Sequence, residues 1–249
     1  MTSTYDRIAR FYDVDMAQNM RFDDVAFYAH QCARARGPVL ELGCGNGRIL
    51  IPLIERGFSV AGVDASAPML RELAHKAAKR GIAARTIRAD VRHLPFDNEF
   101  AAVLCPYSLV TYMTSDADAH AMLAAARDAL VARGLIVLDA FVPREVTATT
   151  TFTLDYERTW GSFTLVRHKR ITPLDDGTNR IERRYVLRRG DGRMAETIEV
   201  VETIRPRSPE ALRTLAASAG FTAIDEAWDY GSRPGADGAQ FFTLVARKT

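Results

Sequence analysis

The stretch Val39-Leu40-Glu41-Leu42-Gly43-Cys44-Gly45-Asn46-Gly47 decides how the chain is read. Its first four residues are a short apolar run, the pattern of a parallel strand buried on both faces. Gly43, Gly45 and Gly47 follow at alternate positions. Glycine lets the backbone turn sharply and leaves no side chain between it and a ligand. Ile49, Leu50, Leu53 and Ile54 then give a helical period over 47–56, with Pro52 near the start, where proline is tolerated. A strand, a glycine turn and a helix N-terminus in this order offer free N–H groups to an anionic or polar ligand group. A second apolar run, Phe58 to Val63, leads to Asp64, 21 residues after Gly43. A carboxylate there can accept both hydroxyls of an adenosine ribose. The dinucleotide fingerprint is G-x-G-x-x-G. Here the third glycine comes one place early and Glu41 precedes the loop, which disfavours a nicotinamide or flavin site.

On either side of the loop the first half alternates strand and helix. Ala67 to Arg80 reads as a helix capped by Ser66, with Pro68 near its first position and Gly81 as its stop. Strands are expected at 82–89, 100–105 and 135–140. The alanine-rich 116–132 segment reads as helix, stopped at Gly134. Strands spaced by such helices imply a parallel sheet covered on both faces. From about Thr151 to Ile204 the period changes to two. Asp175-Asp176-Gly177 and Gly190-Asp191-Gly192 mark turns of an antiparallel meander. Arg183, Arg184, Arg188 and Arg189 read as its solvated face. Ser208 caps a last helix ending at Gly220, and strands 221–230 and 240–247 close the chain.

Composition sets outer bounds. The chain has 249 residues, 47% hydrophobic and 26% charged, near a soluble average, which excludes a disordered, collagenous or disulfide-framework protein. A net charge of +2 argues against an obligate nucleic-acid binder. Cys32, Cys44 and Cys105 form no C-x-x-C, so no metal site is expected. The first residues lack a signal-peptide apolar stretch, and no run approaches membrane-spanning length; the expected location is cytoplasmic.

The glycine loop with Glu41 resembles motif I of the class I S-adenosylmethionine (SAM) dependent methyltransferases. Val60-Ala61-Gly62-Val63-Asp64-Ala65-Ser66-Ala67-Pro68-Met69-Leu70 resembles the family's second motif, which implies Asp64 on the ribose and Met69 near the adenine. Ala89-Asp90-Val91-Arg92-His93-Leu94-Pro95-Phe96 is similar to the third, with Asp90 toward the adenine amino group. The segment from Phe100 to Ser108, with Pro106 and Tyr107, is similar to the fourth, beside the methionine part. Arg133 to Leu138, Gly220-Phe221 and Leu244 to Lys248 continue the match to the chain's end. Asn46 stands where Thr, Ser or Gly is common, and Ala101 where the family often has Asp. The resemblance implies a seven-stranded, mostly parallel Rossmann-like sheet with an antiparallel β insertion after strand 5. It implies cofactor contacts from Glu41, Gly43, Cys44, Gly45, Asn46, Gly47, Asp64, Ala65, Met69, Ala89, Asp90, Val91, Pro106 and Tyr107. On this reading residues 1–249 form one domain, 1–36 a helical lid and 144–206 the insertion.

Tyr5-Asp6-x-x-Ala9-x-x-Tyr12-Asp13 resembles the leading segment of small-molecule methyltransferases, which folds over the cofactor. Asp24-Val25-Ala26-Phe27-Tyr28 is similar to a segment of the bacterial glycine and amino-sugar N-methyltransferase group, whose insertion shapes the acceptor cavity or a homodimer contact. Methyl transfer from a sulfonium is an in-line displacement that rests mainly on positioning, while a hydroxyl acceptor also benefits from a base. Tyr12, Asp139 at the carboxyl end of a strand, and His168 in the insertion are the expected catalytic residues. Tyr5, Tyr28, Thr111, Tyr112 and Trp160 are expected to face the acceptor. The expected function is methylation of a small-molecule amine or hydroxyl. The alternatives are a SAM-binding protein without catalysis and an RNA methyltransferase.

Overall fold

The computed structural model describes residues 4–17 and 19–249, so positions 1–3 and 18 of the expected lid lie outside the described residues. Two short helices, α1 (Thr4–Ile8) and α2 (Tyr12–Met16), flank a 3-10 turn at Ala9–Phe11. Helix α3 (Asp24–Ala35) is capped by Asp23, whose carboxylate accepts from the Ala26 N–H. The chain then enters β1 (Val39–Leu42), α4 (Leu50–Glu55), β2 (Val60–Asp64), α5 (Ala67–Lys79), β3 (Arg85–Arg88) and β4 (Phe100–Cys105). Ser66 caps α5 through the Met69 N–H. Helix α6 (Asp116–Ala129) leads into β5 (Leu130–Phe141). After the insertion come α7 (Pro209–Ser218), β10 (Phe221–Trp228) and β11 (Phe241–Lys248).

Seven strands form one sheet in the order β10-β11-β5-β4-β1-β2-β3. β1 to β5 pair in parallel, and β11 runs antiparallel between β5 and β10. The α6 helix ends three residues earlier than its alanine content suggests. Leu130 is fully buried and pairs with Phe100 of β4, so sheet pairing overrides helix propensity. Gly134 is not the helix stop. A Cβ there would stand 2.9 Å from the Leu130 side chain, so this glycine provides space.

The insertion is a separate antiparallel sheet, β6 (Thr153–Trp160), β7 (Phe163–Pro173), β8 (Asn179–Arg189) and β9 (Met194–Ile204), in sequence order. Its inner face carries Leu165, Tyr185, Leu187, Ile198 and Val200, which bury Ile8 and Phe11 of the N-terminal turns. Two further cores fill the two faces of the seven-stranded sheet. The N-terminal turns therefore lie between the carboxyl ends of the parallel strands and the insertion. Among the described residues no helix is long and apolar enough to cross a membrane.

Candidate active site

Two cavities meet at the carboxyl ends of β1, β2 and β4. The first, about 490 Å³, has Gly43, Gly45, Asp64, Ala65, Met69, Asp90, Val91, Pro106 and Tyr107 on its wall. The second, about 430 Å³, is bordered by the N-terminal turns and the inner face of the insertion. Tyr5, Tyr12, Tyr107 and Tyr112 line both.

The first wall is mostly backbone. Gly43 and Gly45 have φ of +65° and +52°, and a Cβ on Gly45 would stand 3.1 Å from the Met69 methyl. Asp64 organises the turn: Oδ2 accepts from the Gly45 N–H at 2.8 Å and Oδ1 from the Ser66 N–H at 2.7 Å. Burial raises its pKa, against the lowering effect of those N–H groups. Asp90 is engaged by Arg92, at 3.0 Å from Nε and 2.6 Å from Nη2, and the pair holds its pKa below the usual carboxylate range. Arg92 also reaches Asp118 at 2.5 Å.

Several expected contacts lie behind this wall. Glu41 is buried beneath the loop, and burial pushes its pKa up to about 8. Cys44 is buried and packs with Leu50 in the core, Gly47 packs against Ile51, and Ala89 donates its N–H to the Asp64 carbonyl at 3.2 Å. Asn46 donates to Asp13 at 2.8 Å, which Lys76 also holds at 2.9 Å. Ser66 donates to Asp6 at 2.5 Å. The N-terminal turns are thus sewn to the loop and to α5.

Asp139, expected as base or amine ligand, lines neither cavity. It is fully buried and accepts from the Tyr28 hydroxyl, the Tyr230 hydroxyl at 2.8 Å, and the N–H groups of Tyr107 at 3.1 Å and Ser108 at 2.6 Å. Those last two residues have φ of 56° and 60°, a left-handed turn that non-glycine residues rarely adopt. Asp139 therefore holds the turn that presents Tyr107 at the junction of the cavities. Tyr28 belongs to that support and does not face an acceptor. His168 pairs with Arg184 on the insertion and lies on neither wall. Trp160 packs edge-on against Phe11 and beside Phe163, also away from both cavities. Thr111 lines the second cavity, its hydroxyl donating to the Ser108 carbonyl at 2.7 Å.

The second wall contains what the sequence reading missed. Arg183 is not on a solvated face. It shares the inner face with Ile181, Tyr185 and Leu187, and it pairs with buried Glu202. The period-two alternation already placed it there. Asp15, also buried, accepts from Arg167 at 2.5 Å, from Tyr185 at 3.3 Å and from Tyr156. Arg21 and Arg144 line the same cavity with no acidic partner among the described residues. Burial raises the pKa of Tyr5, Tyr12, Tyr107 and Tyr112, so all four remain neutral phenols at physiological pH.

Residues 39–134 match the family model described as "Methyltransferase domain". Over 103 residues the chain is 32% identical to glycine/sarcosine N-methyltransferase of Halorhodospira halochloris. The likeness is to SAM-dependent methyltransferases. That match covers 41% of this chain and only 38% of the relative's own length. The demethylmenaquinone methyltransferase of Thermus thermophilus is 28% identical over 91% of this chain and 92% of its own. The fold of this chain is similar to that of a SAM-bound amino pentose methyltransferase of Micromonospora echinaspora, with a TM-score of 0.71, 24% identity and coverage of 95% and 96% of the two chains. SAM is the family's cofactor, and the first cavity fits it. Gly43 and Gly45 leave room beside the backbone that a Cβ would take, and Asp64 keeps a carboxylate on the wall for ribose hydroxyls.

Proposed function

We propose that this protein transfers a methyl group from SAM, bound in the first cavity, to a polar small molecule bound in the second. The nucleophile is an amine or a hydroxyl. The observation that carries this reading is the shared tyrosine wall. One pocket of nucleoside size and a separate polar pocket meet at Tyr5, Tyr12, Tyr107 and Tyr112, so donor and acceptor can face each other without a further chain. When bound, SAM supplies an electrophilic methyl group. Gly43, Gly45 and Asp64 would hold its nucleoside, while Pro106 and Tyr107 border its methionine end. The N-terminal turns close the junction against water, and alignment of the two reactants can supply about 7–11 kcal/mol of the barrier. Tyr12 presents a neutral hydroxyl there that can donate to or orient the acceptor. The relatives of known acceptor include enzymes named for glycine, sarcosine and an amino pentose, which supports an amine. The free arginines at the mouth, Arg21 and Arg144, favour an acceptor with negative charge at its outer end.

The test is release of S-adenosylhomocysteine, measured by mass spectrometry, from SAM with glycine, sarcosine, amino sugars and their hydroxyl counterparts. Turnover above the acceptor-free rate with at least one of them, slowed in Tyr12→Phe, is the expected result. SAM binding without turnover on any member would contradict the reading.

A further inference from the structure

Glu202 stands in the wall of the second cavity, where β9 passes the shared tyrosines, and is only 7% exposed. One carboxylate oxygen is taken. Arg183 donates to Oε2, and Tyr112 donates to it at 3.5 Å. The other, Oε1, is buried and accepts from no donor among the described residues. A buried carboxylate oxygen without a donor is unfavourable, and the neighbours cannot supply one. Arg183 reaches Oε2 through Nη1 and has no bond to Oε1. The single Tyr112 proton is used on Oε2 as well. Tyr5 shares a hydrogen bond with Tyr112, oxygen to oxygen at 2.5 Å, and makes none to Oε1. Glu202 is itself one of the residues that line the second cavity.

The rings around this oxygen narrow the chemistry. Tyr5 packs edge-on against both Tyr12 and Tyr112, with centroids 5.9 and 6.0 Å away. A carboxylate flanked by aromatic rings complements a nitrogen that is positively charged before or after methylation. Resting on the acceptor-site reading of the second cavity, we propose that the acceptor is an amine whose N–H is held by Glu202 Oε1, and that this oxygen takes up the amine's proton. The acceptor arrives as an ammonium; one N–H bond breaks toward nitrogen and the proton passes to Oε1, which becomes a neutral carboxyl and leaves a neutral amine. The freed lone pair forms the new N–C bond to the donor's methyl carbon. The C–S bond breaks toward sulfur, so the positive charge leaves sulfur and reappears on nitrogen. Arg183 and Tyr112 are positioning residues, holding Oε2 and leaving Oε1 without a donor.

The test uses the 249-residue chain saturated with S-adenosylhomocysteine, and methylammonium chloride as the probe, followed by saturation-transfer NMR. Wild type binds the probe. Glu202→Gln, which still offers Arg183 and Tyr112 an oxygen, binds it about tenfold or more weakly, with unchanged S-adenosylhomocysteine affinity. Glu202→Asp keeps the charge beside Arg183 but retracts it by one methylene, and falls between the two. Equal probe binding by wild type and Glu202→Gln, or none by wild type, overturns the proposal. Binding of methanol in preference to methylammonium overturns the amine assignment. Failure of S-adenosylhomocysteine to bind would instead count against the donor site, so the two failures are separable.

Discussion

The first cavity is built around one glycine turn and the nearby carboxylate that organises it, and the second is built from side chains that arrive from distant parts of the chain. Around the first, Gly43, Gly45 and Asp64 act within about 20 residues of sequence, and a single carboxylate organises the loop. Around the second, Asp15 meets Arg167 across 152 positions, and Glu202 meets Tyr112 across 90. Local sequence is enough to shape the first wall, whereas the second needs charged side chains that are each paired and oriented by another from far along the chain.

That contrast can be broken by experiment. The largest expected effect is at Asp15, the buried carboxylate that ties α2 to the insertion. Asp15→Ala strands Arg167 without its closest partner and is expected to cost about 3–5 kcal/mol. A thermal melt should fall by roughly 10 °C. A melt unchanged from wild type would mean that the second cavity does not depend on buried charge.

Glu41 offers a smaller, pH-dependent effect on the other side. Its folded pKa, about 8, lies above the ordinary 4.5 because the carboxyl is buried. Below about pH 4.5 the group is neutral in both folded and unfolded states and carries no penalty. As pH rises from there toward 8, the unfolded chain releases this proton and the folded chain retains it, so wild-type stability is lost across that window. Glu41→Gln lacks the titration. Denaturant unfolding should show the variant gaining on wild type between pH 5 and 8, by on the order of 2 kcal/mol. Parallel pH profiles for the two would show that Glu41 is ionised beneath the loop.

The same contrast explains what could be read in the sequence. The strands Val39–Leu42, Val60–Asp64 and Phe100–Cys105 are buried on both faces, and their apolar runs mark them directly. The glycine loop and Asp64 announce themselves because spacing along the chain is also spacing in space. Leu130 was misassigned because its pairing with Phe100 lies outside any local window. Asp139 was placed at the right edge of the sheet, but the Tyr107-Ser108 turn that it supports is visible only in three dimensions. His168 and Trp160 were chosen for residue type within the insertion, while the inward register of that insertion belongs to Arg167, Arg183 and Glu202. Arg183 alternates in step with Ile181 and Tyr185, a signal that the reading of the four arginines as one solvated face passes over.

The central claim is that the glycine turn and Asp64 make the first cavity a nucleoside site for SAM. Calorimetric titration of S-adenosylhomocysteine into wild type and Asp64→Ala tests it most directly. Loss of a charge-assisted pair of hydrogen bonds predicts affinity reduced by about 10- to 100-fold in the variant. Equal affinity in the two proteins would contradict the account.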